Sequence, residues 1–466
     1  MKRVFLLLFF VICANQLRAQ QYGLFNTNTL FDGFENPAQK SFVLDSSRQF
    51  ASNFLLPYFG LNAANKGASD YSIRRLTSEG VFSARNIPLN TGKSNIIYAN
   101  ANVYLLTLKI YASYKYQKEL GFSWQVRNDG QVTYPNELLA IFDNYKRFQD
   151  GTYPAAFNTE GYNQSYHQFS ITYRENLTKK LAFGVKASLL SGITYSKMSI
   201  TNSSFRLDQD NDRLNLSLTG RYQTNLFHDG DLSTNRLLPT FRNPGAAISF
   251  GTSYRAKKGV VIIGNVKDLG LIRWNNSSHD IILNNAQQTV ENLSTSTDDE
   301  VQSSIKNIFR NRDRNMAFYT LTNAKADFLI SKQYGYYKPS LIVSKNLFYK
   351  GGDIAFVNSF TTNNFLLSAI PTYNMNGFLM AGVQGMYKTP NFEAFLGSDN
   401  ITKSIAVRKG VEDASGYNGA SIYMGMAIKF GYVIEHPKNA SHMPGIDDQK
   451  SGSFFGNIFG IFKKKR

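Results

Sequence analysis

The side chains able to do chemistry are few and far apart in this chain of 466 residues. Its histidines, His167, His228, His279, His436 and His442, include no pair at a metal-ligand spacing. No serine sits in a nucleophile elbow and no HExxH pattern occurs, so hydrolase and zinc-enzyme readings lack their signatures. Folding could still join distant residues, but His167 reads as a lumenal polar group and Asp327 as a solvated one rather than as acid–base partners. No catalytic residue, metal ligand or cofactor is therefore expected. The chemistry left to explain is binding, and partition between water and lipid.

One candidate for binding is the end of the chain. At 100° per residue, Phe454, Phe455, Ile458, Phe459, Ile461 and Phe462 fall within an arc of roughly 160°, and Lys463, Lys464, Lys465 and Arg466 follow. Such a periplasmic, amphipathic and basic tail, residues 435–466, can lie on the inner leaflet or dock in a partner's groove. Gly456 and Gly460 each cost about 1 kcal/mol of helix propensity, so a helix here forms only on binding, and an unstructured terminus is the alternative.

The element that must position everything else precedes this tail. In Ala420–Ile434 one parity holds Ile422, Met424, Met426, Ile428, Phe430, Tyr432 and Ile434, and the other holds Ser421, Tyr423, Gly425, Ala427, Lys429 and Gly431. That is a period of two with one apolar face. A soluble strand averages about 5–6 residues, whereas a tilted lipid-crossing strand needs about 9–11, and this stretch suits the second. A sheet inside hydrocarbon can leave no edge unpaired, so one such strand demands a closed ring of them. The alternative is a large soluble β-sandwich with one long strand.

Bulk properties agree with the ring. Residues 1–19 have a basic start, Lys2 and Arg3, an apolar run from Val4 to Ile12 and a small-residue exit at Ala19, which reads as a cleaved secretory signal. Cys13, the only cysteine, lies inside it, and Ile12 before it argues against lipidation, so the mature chain folds without disulfides. No later run of 18 apolar residues exists, which excludes helical spanning. A mean hydropathy of −0.29 suits a barrel, whose alternate residues avoid lipid. With 27 Tyr and 36 Phe against 2 Trp, the aromatic content fits strands and interfacial girdles. The charge of +18 falls by three to +15 with Lys2, Arg3 and Arg18. Export and the lack of a compact basic motif argue against nucleic acid, leaving lumenal and loop cations that face anionic lipids or lipopolysaccharide, and a basic lumen that favours anionic ligands.

Along the chain, residues 20–47 are not strand-like, and Asn36-Pro37-Ala38 within them favours a turn, so this segment is expected at the periplasmic mouth or inside the lumen as a plug. The barrel occupies residues 48–434. Gln49–Ala63 reads as a strand weakened by Pro57, and Ile97 to Leu105 as a strand whose other face carries Tyr98, Asn100, Asn102 and Tyr104. Gln168–Arg174 and Leu181–Leu189 form a hairpin with a short turn, Leu214, Leu216 and Leu218 alternate with polar residues, and Ala256-Lys-Lys-Gly259 is a tight turn. Two short helices are expected in loops or plug: one over Asn136–Phe148 with Asn136 as cap, and one after the capping-box pattern Thr297-Asp-Asp-Glu300. About 445 mature residues at roughly 30 per strand and connection give about fourteen strands, with an error of about two. The expected fold is all-β: a transmembrane antiparallel β-barrel of about 14 strands.

Asn36-Pro37-Ala38, Val266-Lys-Asp-Leu-Gly-Leu-Ile-Arg-Trp274 and Gly397-Ser-Asp-Asn-Ile401 together resemble outer-membrane barrels of the FadL superfamily, and most nearly an uncharacterised family similar to the PorV and SprF/PorP secretion-associated barrels. The resemblance implies a fourteen-stranded barrel, an N-terminal segment in the lumen and a non-enzymatic role. It also implies that Asp268 and Gly270 form a periplasmic-side turn, that Trp274 anchors at the interface, and that Asp399 and Asn400 form another turn. The basic tail departs from the fatty-acid transporters of that superfamily. Two functions follow as expectations. The first is a conduit for small hydrophobic molecules gated by the plug, which a sealed lumen without an apolar pocket would oppose. The second is an accessory barrel that binds periplasmic or outer-membrane protein partners of a secretion or assembly machinery through tail and loops. Lipids and lipopolysaccharide are expected partners of either.

Overall fold

The computed structural model describes residues 22–42, 48–113, 118–227, 237–409 and 417–431. The signal at 1–19 and the tail from Phe454 to Arg466 therefore lie outside the described residues. Nineteen strands occur among those described: β1 (Phe50–Ser52), β2 (Tyr58–Lys66), β3 (Ser94–Ser113), β4 (Lys118–Pro135), β5 (Gly151–Pro154), β6 (Glu160–Asn176), β7 (Leu181–Asp208), β8 (Arg213–Thr224), β9 (Pro244–Arg255), β10 (Val260–Trp274), β11 (His279–Glu291), β12 (Phe318–Leu321), β13 (Lys325–Lys332), β14 (Tyr337–Asn346), β15 (Gly352–Thr362), β16 (Phe365–Asn374), β17 (Phe378–Lys388), β18 (Phe392–Ser398) and β19 (Tyr417–Phe430).

Fourteen of them close a ring in the order β2, β3, β4, β6, β7, β9, β10, β13 to β19, with β19 pairing back to β2 through Tyr417↔Lys66 to Met424↔Phe59. Every wall pairing is antiparallel. β1 continues β2 beyond a break at Asn53–Pro57, and β12 continues β13, so each pair is one interrupted wall strand. The break at Pro57 is the one its missing N–H predicts. One end of the ring has short turns, such as Lys257–Gly259 with Lys258 at φ 60°, and the other carries the long connections.

The outer face is the apolar one. On β19, Ile422, Met424, Met426 and Ile428 are 37–45 % exposed, while Ser421, Tyr423, Ala427 and Lys429 of the opposite parity are buried in the lumen. Ile171, Leu189, Leu367 and Leu379 continue this belt around the ring. β16 is ten residues long, the length a tilted strand needs to cross hydrocarbon. Closure leaves no edge, and the barrel spans a membrane.

At the long-loop end the upper half of β7 leaves the ring and pairs with β5 and β8, and β8 pairs with β11. The helices Asn136–Asn144 and Asp298–Arg310 cover this sheet, forming a core of its own from Ile141, Phe205, Leu216, Ile281, Val301 and Ile305. Leu214, Leu216 and Leu218 thus face a second core rather than lipid. Both helices match the sequence expectation, and the Thr297–Glu300 capping box forms in both directions. Asn136 is not the cap: Pro135 holds that position, and Asn136 instead donates to the Pro88 carbonyl at 2.9 Å and accepts from Asn95 at 2.8 Å.

Candidate functional site: a plugged lumen

Residues 22–42 fill the lumen without joining the sheet. Their local fold follows from a few polar side chains. Asp32 accepts the backbone N–H groups of Thr27 (3.1 Å) and Asn28 (3.2 Å), Thr29 Oγ1 accepts from the Asp32 N–H, and one short helix, Asp32–Glu35, results. Asn36 Oδ1 then accepts the Ala38 N–H at 3.0 Å, the side-chain-closed turn that Asn followed by Pro favours. The sequence-predicted plug turn Asn36-Pro37-Ala38 is therefore present and buried in the lumen.

Its seat is two glycines. Gly184 of β7 and Gly251 of β9 are direct cross-strand partners, and a Cβ on Gly184 would overlap the Pro37 carbonyl, one on Gly251 the Asn36 Oδ1 and the Ala38 N. Only a strip of bare backbone lets the turn lie this close to the wall. Arg174 Nε donates to the Ala38 carbonyl at 2.8 Å, and Phe31 wedges between Tyr58 (4.8 Å, stacked) and Phe395 (5.7 Å, edge-on). Toward its ends the segment is held by Tyr22 Oη to Asp353 (2.7 Å), Gln384 to the Gly23 carbonyl (3.0 Å), Lys388 to the Thr27 and Asn28 carbonyls (2.7 and 2.6 Å) and Tyr111 to the Ser41 carbonyl (2.8 Å).

A charge hub ties the helix end to the wall. Glu35 pairs with Arg127 (2.6 Å) and Lys267 (3.2 Å) and accepts from Tyr104 Oη (2.7 Å). Arg127 also binds Asp268, which holds Lys186 at 3.1 Å, and Lys267 reaches Asp327 at 3.4 Å. Three acids thus meet three bases, so this part of the lumen is balanced, not basic as its composition suggested. Burial alone would raise the Glu35 carboxyl, but Arg127, Lys267 and Lys186 hold it well below the usual range. Asp32 lacks so close a cation. Burial pushes it up to about 7 against the Asn28 N–H and the pull of Lys338. Beside the hub a cavity of about 50 Å³, lined by Leu24, Phe31, Asn102, Arg127, Lys267 and Lys325, has room for a few waters.

The hub corrects two sequence expectations through one feature. Asp268 and Gly270 lie inside β10, not in a turn: the register with β9 shifts between Val266 and Leu269, a β-bulge with Asp268 at φ 56°. The bulge places Lys267 and Asp268 both toward the lumen and reverses the parity beyond them. Trp274 consequently points inward rather than anchoring at the interface. It is fully buried, stacked on Tyr195 at 5.3 Å and donating to Thr320 Oγ1 at 2.8 Å. Asp399 and Asn400 do form a connection, from β18 into the helix Ile401–Lys409, with the Asn400 carbonyl accepting Ser404 N–H. His167 and Asp327 are on opposite faces of the wall. His167 faces outward between Trp124 and the Leu237 carbonyl, not into the lumen, and Asp327 is in the hub rather than solvated. Sequence reasoning missed Gly184, Gly251 and the hub. The signal for the hub was the adjacent pair Lys267-Asp268 within a largely apolar strand.

A family profile described as a family of unknown function (DUF5723) matches residues 44–399. The chain belongs to this family. No curated protein matches it. Solved structures similar to it include a TodX deltaS2S3 mutant monoaromatic hydrocarbon channel (TM-score 0.44, 10 % identity, 85 % of this chain and 94 % of that one). The Ralstonia pickettii toluene transporter TbuX (0.42, 8 %, 85 % and 93 %) and a Pseudomonas aeruginosa FadL homologue (0.43, 10 %, 90 % and 98 %) are others. Among the described residues of this family member, no group of three or more His, Asp or Glu is placed to hold a metal ion.

Proposed function

We propose that this protein is a non-enzymatic barrel of the bacterial outer membrane, exported through the leader at 1–19, that passes small hydrophobic molecules, with residues 22–42 as its gate. One observation carries the reading: the lumen is filled by a segment outside the sheet, so that segment can move without breaking a single wall pairing. The plug's grip is a set of hydrogen bonds, ion pairs and aromatic contacts, each reversible on its own.

The plug has a second consequence. With residues 22–42 in the lumen, the conduit needs the plug to move, and an accessory barrel of a secretion or assembly machinery, akin to PorV and SprF/PorP, does not. Uptake of a radiolabelled monoaromatic probe by cells with intact lipopolysaccharide separates the two. The conduit reading expects uptake to fall when the gene is deleted and to return with the wild-type chain. Unchanged uptake, together with a stoichiometric protein partner in a mild-detergent extract, would replace it with the second reading.

A further inference from the structure

The lipid-facing flank of β9, β10 and β12 ends in arginines. On β10, beyond the bulge, Leu269, Leu271 and Arg273 face outward and are exposed, while Ile272 and Trp274 are buried. Ile272 pairs with Gly245, so Arg273 stands beside Pro244, two residues from the exposed Arg242. Arg273 pairs on its other side with Tyr319, which is 67 % exposed, and the exposed Arg314 lies in the connection leading to that strand. The carboxylates near this group are already engaged: Asp280 with Arg221 at 2.7 Å and Asp313 with His279 at 2.8 Å.

The segment before Arg242 shows what surrounds the group. Leu237, Leu238 and Phe241 are exposed, yet the segment runs across the outer wall, with the Leu237 carbonyl on His167 Nε2 at 2.8 Å and the Phe241 ring 5.6 Å from Phe169. Exposed leucines beside an aromatic cluster and arginines, at the level where the apolar belt gives way to the long connections, describe the border between acyl chains and headgroups. Guanidinium groups bind phosphate through paired N–H donors, and they do so best where carboxylates do not compete.

We propose that Arg242, Arg273 and Arg314 form a site for the phosphate of a lipid headgroup in the leaflet at the long-loop end, with the lipid's chains lying against Leu237, Leu238, Leu269 and Leu271. A free phosphate would leave that apolar surface unused. The inference rests on the membrane-spanning reading but not on transport, since a plugged accessory barrel would hold the lipid equally.

The test uses the full barrel, stripped of lipid by detergent exchange, reconstituted in phosphatidylcholine vesicles containing phosphatidic acid, re-extracted, and assayed for retained lipid by native mass spectrometry. The wild type is expected to retain phosphatidic acid over phosphatidylcholine. Each arginine contributes roughly five-fold, so the Arg242→Ala, Arg273→Ala, Arg314→Ala variant should lose about a hundred-fold, and Arg273→Ala alone about five-fold. Lys257→Ala with Lys258→Ala, in a turn at the opposite end, should change nothing, and closure of each variant is verified by its heat-modifiable migration. Equal retention by the arginine variants, equal loss in the lysine control, or displacement of the lipid by millimolar inorganic phosphate would each overturn the proposal.

Discussion

Replacing Gly184 and Gly251 with alanine tests the plug by its seat rather than by its charges. Neither glycine has a left-handed φ, so alanine is conformationally allowed, and the wall itself should gain roughly 0.5–1 kcal/mol per site from reduced chain entropy. The plug should lose. Each new Cβ meets backbone or side-chain atoms of Asn36-Pro37-Ala38, and overpacking of this kind costs about 1–3 kcal/mol. The two sites press on one turn and are cross-strand partners, so their costs do not add. Taking about 2 kcal/mol for the pair, the unseated population rises about thirty-fold. Ser41→Cys supplies the reporter: Ser41 is fully buried, its hydroxyl has no hydrogen-bond partner to lose, and the sole native cysteine, Cys13, falls in the expected leader. Maleimide labelling of the thiol introduced by Ser41→Cys, measured in detergent, should accelerate by about that factor in the double alanine variant, while resistance of the barrel to heat unfolding stays equal or increases. Equal labelling rates would refute the seat. Faster labelling accompanied by a weakened barrel would refute the claim that plug and wall are separable.

The remaining predictions address charge and packing. Asp32, raised to about 7, favours plug seating fully below about pH 4 and loses that contribution as pH rises through about 7, because the folded form holds the proton longer than the free one. Divided by the rate of a free thiol at the same pH, maleimide labelling of the Ser41→Cys reporter should therefore speed up between pH 6 and 8, and Asp32→Asn should flatten that residual rise. Glu35 has the opposite sign: held low, it stabilises above the usual carboxylate range and releases the plug only in strong acid, so Glu35→Gln should raise labelling at neutral pH. Asp268→Asn leaves Arg127 and Lys186 without their shared acid, at a cost of about 3–5 kcal/mol, readable as a lower unfolding temperature of the barrel. Thr297→Ala removes the hydroxyl arm of the capping box, leaving the Thr297 N–H to Glu300 bond, and should cost about 1 kcal/mol, seen as faster proteolysis around the helix Asp298–Arg310 but not within the wall.

How much of this was legible in the residues depends on the kind of interaction. Period-two patterning is local, so the lipid-facing parity of β19, the hairpin β6–β7 and the tight turn at Lys257–Gly259 could all be read directly, and strand length pointed to a membrane. The same rule does not see a bulge. Counting by twos from Val266 assigns Trp274 to the outer face, and one extra residue at Asp268 sends it inward. Leu214, Leu216 and Leu218 alternate as read, but alternation marks an apolar face without saying what covers it, and here the cover is a second core.

The sequence by itself determined a closed membrane barrel of about fourteen strands, two loop helices and an N-terminal segment with a turn at Asn36-Pro37-Ala38, because strand period, segment length, capping pairs and Asn-Pro turns are set by neighbours along the chain. Only the tertiary structure decided that Gly184 and Gly251 seat the plug, and that Glu35, Arg127, Lys186, Lys267, Asp268 and Asp327 neutralise one another. Those contacts join the plug to strands far apart in the chain, and side chains so distant find their partners through ring closure and bulge position, which no local pattern encodes.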